Sequence, residues 1–184
     1  MELESAEVRE YTFIDLCNSF IYTVAPQFQN DRMSPALYTE IVDVISVLLK
    51  SVSVPTEAFL YEFIYLLAFI SVSHKGTQAV LSRGLLDKVI CCLKLPNQEV
   101  TNVSLMTLTH IFYYPCRDLI GILKNTDLLD NTIWLLKNKK KHVVSEVMVL
   151  YANILMNEEE NAAKKAEIFG IFDQKNIFWM ILEV

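Results

Sequence analysis

The tripeptide Leu85-Leu86-Asp87 returns as Leu128-Leu129-Asp130 forty-three positions later, and the match continues on both sides. At the same offset Ile90 meets Ile133, Leu93 meets Leu136, Lys94 meets Lys137, Val100 meets Val143, Leu105 meets Met148 and Ile111 meets Ile154. Upstream, Leu48-Leu49-Lys50 meets Cys92-Leu93-Lys94 at offset forty-four. Glu57, Phe63, Leu66 and Phe69 meet Glu99, Leu105, Leu108 and Ile111 at offset forty-two. A recurrence near forty residues points to a stacked array, in which one unit cannot hide its apolar face alone and its neighbours complete the core.

Within each unit the pattern is helical, with no alternation of the kind strands show. Ser34 and Pro35 supply an N-cap and a first helical position, and Leu37, Ile41, Val44, Ile45, Leu48 and Leu49 follow at helical spacing. Pro55 and Thr56 reset the chain for a second helix, which runs to about Ser73. Gly76 and Gly84 bracket a short helix over 77–82, and another over 85–93 stops before Pro96. A long helix over 99–114 stops before Pro115. Segments over 117–123, 128–137 and 143–156 then repeat the order short, medium, long, and two further helical stretches close the chain. An N-terminal helix is expected over about 6–25. The resulting partition is 1–33 as helix and linker, 34–74, 75–114 and 115–157 as three repeats, and 158–184 as an incomplete fourth. The predicted inter-repeat core includes Leu66, Leu93, Leu108 and Leu136.

Several stretches resemble a known family. Gly76 to Leu86 is similar to the first helix of an armadillo repeat, with its Gln-Thr-rich start. Leu95-Pro96-Asn97-Gln98-Glu99-Val100 resembles the link between the second and third armadillo helices. Cys116-Arg117-Asp118-Leu119 looks like the Cys-Arg-Asp that opens one repeat of the importin-α proteins, and Tyr151-Ala152-Asn153-Ile154 looks like the end of their third helix. The resemblance covers about residues 35–156. It implies an all-α, right-handed superhelical solenoid of the armadillo (ARM/HEAT-like) type. It also implies a nuclear-transport-adaptor-like role in cytoplasm or nucleus, or alternatively a scaffold or regulatory domain of a larger intracellular ligase or signalling protein. Importin-α proteins read basic import signals with a ladder of Trp and Asn on the third helices. The equivalent positions here are Ile64, Met106 and Val149 for Trp, and Ala68, His110 and Asn153 for Asn. Only Asn153 keeps the ladder residue, so a basic import signal is expected to bind poorly: indole slots for lysine stems and amides for the peptide backbone are lost.

Composition narrows the functions further. The 184 residues carry a net charge of −6, which disfavours nucleic acid as the main partner. Hydrophobic residues make up 53% of the chain, yet the uncharged run 63–73 is too short to span a bilayer, and polar residues interrupt the longer run 100–116. The acidic start Met-Glu-Leu-Glu lacks the apolar region of a secretory leader. Cys17, Cys91, Cys92 and Cys116 show no metal or redox spacing and read as free thiols. His74, His110 and His142 stand apart from any metal-ligand pattern, and the four glycines form no phosphate-binding loop. No catalytic residue, cofactor site or metal site is therefore expected. Asp127 and Asp130 fit a helix start.

The expected function is non-catalytic recognition of a protein or peptide on the inner face of the third helices. The lining residues are Tyr61, Ile64 and Ala68, then Val103, Met106 and His110, then Glu146, Val149 and Asn153. An apolar strip of this kind suits an amphipathic helix or an extended apolar peptide. Lys139, Lys140 and Lys141, in the basic run 137–142, form a candidate electrostatic docking patch, with Glu158-Glu159-Glu160 as the acidic counterpart. The apolar run 177–182 is expected to support self-association or docking of a partner that supplies a missing third helix.

Overall fold

Ser34, itself extended, caps the helix that begins at Pro35. Its hydroxyl accepts from the Leu37 amide and Pro35 occupies the first turn, so α1 runs Pro35–Ser51. Thr56 caps α2 (Glu57–Ile70) in the same way through the Phe59 amide. Ser73 caps α3 (His74–Ser82), Asn97 caps α5 (Gln98–Tyr113) and Asn161 caps α9 (Ala162–Gln174). Between them lie α4 (Leu86–Cys92), α6 (Leu119–Asn125), α7 (Leu128–Asn138) and α8 (Lys141–Met156), and α10 (Ile177–Glu183) follows. This computed structural model describes residues 33–52, 55–138, 141–157 and 161–183, with Ile14, Asp15 and Ser19. Among the described residues there are ten helices and no strand, an all-α fold. No helix among them is long and apolar enough to cross a membrane. Apart from those three residues, the N-terminal helix expected over 6–25 lies outside the described residues, as do Cys17 and Glu158 to Glu160.

The helix boundaries depart from the sequence reading at one informative place. Gly76, expected to precede a helix, lies inside the first turn of α3. A Cβ at this position would stand 1.9 Å from the Ile70 carbonyl oxygen. The glycine is therefore needed for the close approach of α3 to the end of α2. The break is set by the Ser73 hydroxyl, which accepts from the Gly76 amide at 3.0 Å. At Gly84, by contrast, the left-handed φ of 66° favours glycine for conformational reasons.

Helices one recurrence apart lie side by side: α2 packs on α5, α5 on α8, α4 on α7, and α6 on α9. Leu66, Leu93, Leu108 and Leu136 are all buried, in one continuous core with Phe63, Val100, Leu105, Leu150 and Phe172. Polar side chains stitch the contacts. Thr107 donates to the Ile64 carbonyl at 3.2 Å, and the Tyr114 hydroxyl donates to that of Val72. Asn131, on α7, donates to the Ile90 carbonyl of α4 at 2.9 Å. Asn157 holds three groups at the end of α5. Its amide donates to the Phe112 and Tyr114 carbonyls at 2.8 and 2.6 Å, and its oxygen accepts from the Cys116 amide at 2.8 Å. On the outside, Asp43 pairs with Arg83, Lys124 with Glu167 and Asp130 with Lys175.

Candidate functional site

The helices α2, α5 and α8 are parallel neighbours, because their cross-links keep a nearly constant separation. Asn97 donates to Glu57 and Thr107 to Ile64 between the first two. Gln98 meets His142, and Asn153 donates to Thr109, between the second and third. Only part of the set of lining residues named from sequence reaches the solvent on these helices. Ile64, Ala68 and Val103 are buried, so these three expected lining residues belong to the core. They lie where α2 packs against α5, and at the same contact the Ile64 carbonyl accepts from Thr107 and the Ala68 carbonyl from His110.

The residues that do reach the surface run one turn apart on each helix. On α2 they are Tyr61, Tyr65 and Phe69, each partly buried. The Tyr61 and Tyr65 rings stack at 5.7 Å, and Tyr65 meets Phe69 edge-on at 4.9 Å. On α5 the series is Asn102, Met106, His110 and Tyr113, the last 71% exposed. On α8 it is Glu146, Val149, Asn153 and Met156, with Val149 47% and Met156 60% exposed. Of the residues named from sequence, Tyr61, Met106, His110 and Asn153 are partly buried and Glu146 and Val149 are exposed. Tyr65, Phe69, Tyr113 and Met156 were missed, although the spacing of Tyr61, Tyr65 and Phe69 by four residues is itself a signal of one helix face.

Polar groups on this face are largely engaged within the fold. His110 Nδ1 lies 3.0 Å from the Ala68 carbonyl oxygen, which can only accept, so Nδ1 carries the proton. The Asn153 amide donates one N–H to the Thr109 carbonyl at 3.0 Å. Beside Met106, the Asn102 Oδ1 and Thr109 Oγ1 atoms are shielded from solvent and have no hydrogen-bond partner among the described residues. The acidic edge differs. Glu62 and Glu99 make no ion pair among the described residues, and burial pushes the Glu62 carboxyl above its ordinary range. Burial likewise pushes the Tyr61 phenol up, aided by neighbouring Tyr65, Glu62 and Glu99.

No known family model and no curated protein sequence matches the chain.

Other features are separate from this face. Lys141 is exposed at the start of α8, while Lys139 and Lys140 lie outside the described residues. A cleft of about 510 Å³ between α3 and α6, not anticipated from sequence, is lined by Gln78, Ser82, Asp87, Arg117, Asp118 and Asn125 among others. Among the described residues, no group of three or more His, Cys, Asp or Glu side chains is placed to hold a metal ion. Burial pushes the Cys92 thiol up to about 11, with the Cys91 charge adding to the shift, and Cys91 itself is exposed.

Proposed function

We propose that the chain is a non-catalytic recognition module, an armadillo-type right-handed solenoid that binds a segment of another protein along the face shared by α2, α5 and α8. The observation that carries this reading is the row Tyr65, Met106 and Val149. Its members stand on three neighbouring helices, Tyr65 and Met106 partly buried and Val149 47% exposed, with further apolar side chains at Phe69, Tyr113 and Met156. Exposed apolar side chains such as Tyr113, Val149 and Met156 mark interaction sites on folded proteins where they gather into a patch. The solenoid assignment draws support from the cross-links between helices: Thr107 to Ile64, Asn131 to Ile90 and Asn153 to Thr109 each span a little over forty residues.

The resemblance to importin-α proteins carries over as a transport-adaptor-like role in cytoplasm or nucleus, with one restriction. The surviving ladder residue, Asn153, gives its amide to Thr109, so a lysine-rich import signal should bind weakly. A scaffold or regulatory module of a larger intracellular protein uses the same face. The test is site-specific photocrosslinking with a benzophenone amino acid at position 106, compared with position 88, which is exposed on α4. Crosslinks from 106 that disappear in Val149→Asp support the reading. Capture that is equal from both positions and indifferent to Val149→Asp overturns it, and Lys139, Lys140 and Lys141 then become the docking patch to neutralise.

A further inference from the structure

We infer that copies of this chain stack head to tail, the α1 face of one copy seated on the face that α9 and α10 of the next present. This joint uses surfaces separate from the face of α2, α5 and α8.

Among the described residues ten large hydrophobic side chains are exposed, and six of them fall in two places. Three are on α1: Leu37, Val44 and Val47. Leu37 and Val44, seven positions apart, share one side of the helix with the partly buried Ile41 and Leu48. Buried Tyr38, Val42 and Ile45 occupy the other side, toward the core. The remaining three are Phe169 on α9 and Trp179 and Leu182 on α10. The Phe169 ring stacks on Phe178 at 5.7 Å, so the apolar side chains of the two helices adjoin. Exposed Ala162 and Ala166 share the side of α9 that carries Phe169.

One copy cannot bring the two faces together. Helix α1 packs on α3, and α9 packs on α6 and α8, with the row α2, α5 and α8 between them. Inside the chain α5 meets α2 through one side and α8 through another, so the joints of the array are themselves head to tail. A second copy stacked in the same sense supplies what each face lacks. The faces are complementary in shape, because α1 offers branched aliphatic side chains where α9 offers alanines, and small residues let a neighbouring helix approach closely. They are complementary in charge too. Glu40 stands three positions after Leu37 and four before Val44, and Lys165 stands three after Ala162 and four before Phe169. One turn further on, Lys50 follows Val47 and Asp173 follows Phe169. None of these four has an ion-pair partner among the described residues. With α1 and α9 running the same way, Glu40 meets Lys165 and Lys50 meets Asp173.

The experiment is sedimentation of the full 184-residue chain over a concentration series, beside Val44→Glu, which spoils the α1 face, and Trp179→Glu, which spoils the other. Both side chains are largely exposed, at 59% and 66%, so helical circular dichroism should persist, and Val47→Glu or Leu182→Glu replaces a variant that loses it. The parent should grow past a dimer as concentration rises, because a head-to-tail joint leaves one face of each kind open. Each variant alone should stay monomeric. Mixed in equal amounts, they should form a dimer that grows no further, since each supplies the face the other has lost. Glu40→Lys or Lys165→Glu alone should raise the Kd about fivefold, and the two together in one chain should restore it. A mixture that stays monomeric, a Val44→Glu chain that associates like the parent, or a parent that stops at a dimer overturns the joint. So do charge variants that fail to compensate each other. So does a parent that is monomeric at every concentration, as for faces covered by another part of this chain.

Discussion

Truncating Asn157 to alanine should loosen the junction between α5, α6 and α8 more than its position near a helix end suggests. The side chain makes three hydrogen bonds to main-chain groups of Phe112, Tyr114 and Cys116. A hydrogen bond contributes about 0.5–1.5 kcal/mol net, and a buried group left without a partner costs more than the mean. Asn157 is only partly buried, so water can replace part of what is lost, and the expected cost is about 2–3 kcal/mol. For a chain of this length that corresponds to a fall in Tm of about 4–12 °C. The control is Asn153→Ala, which removes a single bond to Thr109 and should cost about 1 kcal/mol. Thermal and urea unfolding followed by circular dichroism give the two values, and hydrogen exchange at the Cys116 amide should quicken in Asn157→Ala alone. If both variants lie within about 0.5 kcal/mol of the parent, the cross-helix bonds contribute nothing net and the reasoning fails.

Two glycines should respond with opposite signs. Gly76→Ala should destabilise by about 1–3 kcal/mol because the new methyl group meets main chain at 1.9 Å, whereas Gly170→Ala, with nothing within 4 Å, should stabilise by about 0.5–1 kcal/mol. Equal effects in urea unfolding would refute the close approach at Gly76. Burial raises the Tyr151 phenol to about 12, opposed by its bond with Thr132 and aided by Asp130. Its folded value thus exceeds the unfolded one of about 10, so its contribution is intact below that and fades as pH rises toward 12. Tyr151→Phe should flatten the alkaline stability loss between those values, and an unchanged slope would count against it. Trp179 and Leu182 are 66% and 78% exposed, so the chain should self-associate at high concentration and Trp179→Glu should shift it toward monomer in sedimentation. A monomer at every concentration would refute this.

Local signals were legible because their physics is local. Ser34 with Pro35, and Thr56 after Pro55, mark helix starts through caps that any reader of the sequence can place. Leu66, Leu93, Leu108 and Leu136 announced the core by recurrence. Gly76 was misread because a glycine that breaks a helix and one that lets two helices touch look alike in sequence. On α2 the residue assigned to the surface from sequence, Ile64, is buried, while Tyr65 beside it is partly buried. Hydropathy cannot separate adjacent apolar residues when burial is decided by the packing of α5 on α2, some forty-two positions away. The engagement of His110 and Asn153 was hidden for the same reason: their acceptors are carbonyls, which every residue has and no sequence displays.

Those carbonyl acceptors give the array a direction of dependence. Thr107, His110 and Tyr114 each reach back to the main chain of the segment before them, and Asn131, Asn153 and Asn157 do likewise. In these six contacts the receiving segment contributes only peptide groups, so a polar substitution there leaves the bond in place provided the helix persists and no clash arises, whereas pairs such as Asn97 with Glu57 and Gln98 with His142 need a side chain on both sides. The donating unit has no such freedom, because each hook is one specific hydroxyl, imidazole or amide. Units should therefore wear unevenly under mutation, like roof tiles that hang from the course beneath by a nib on their own underside.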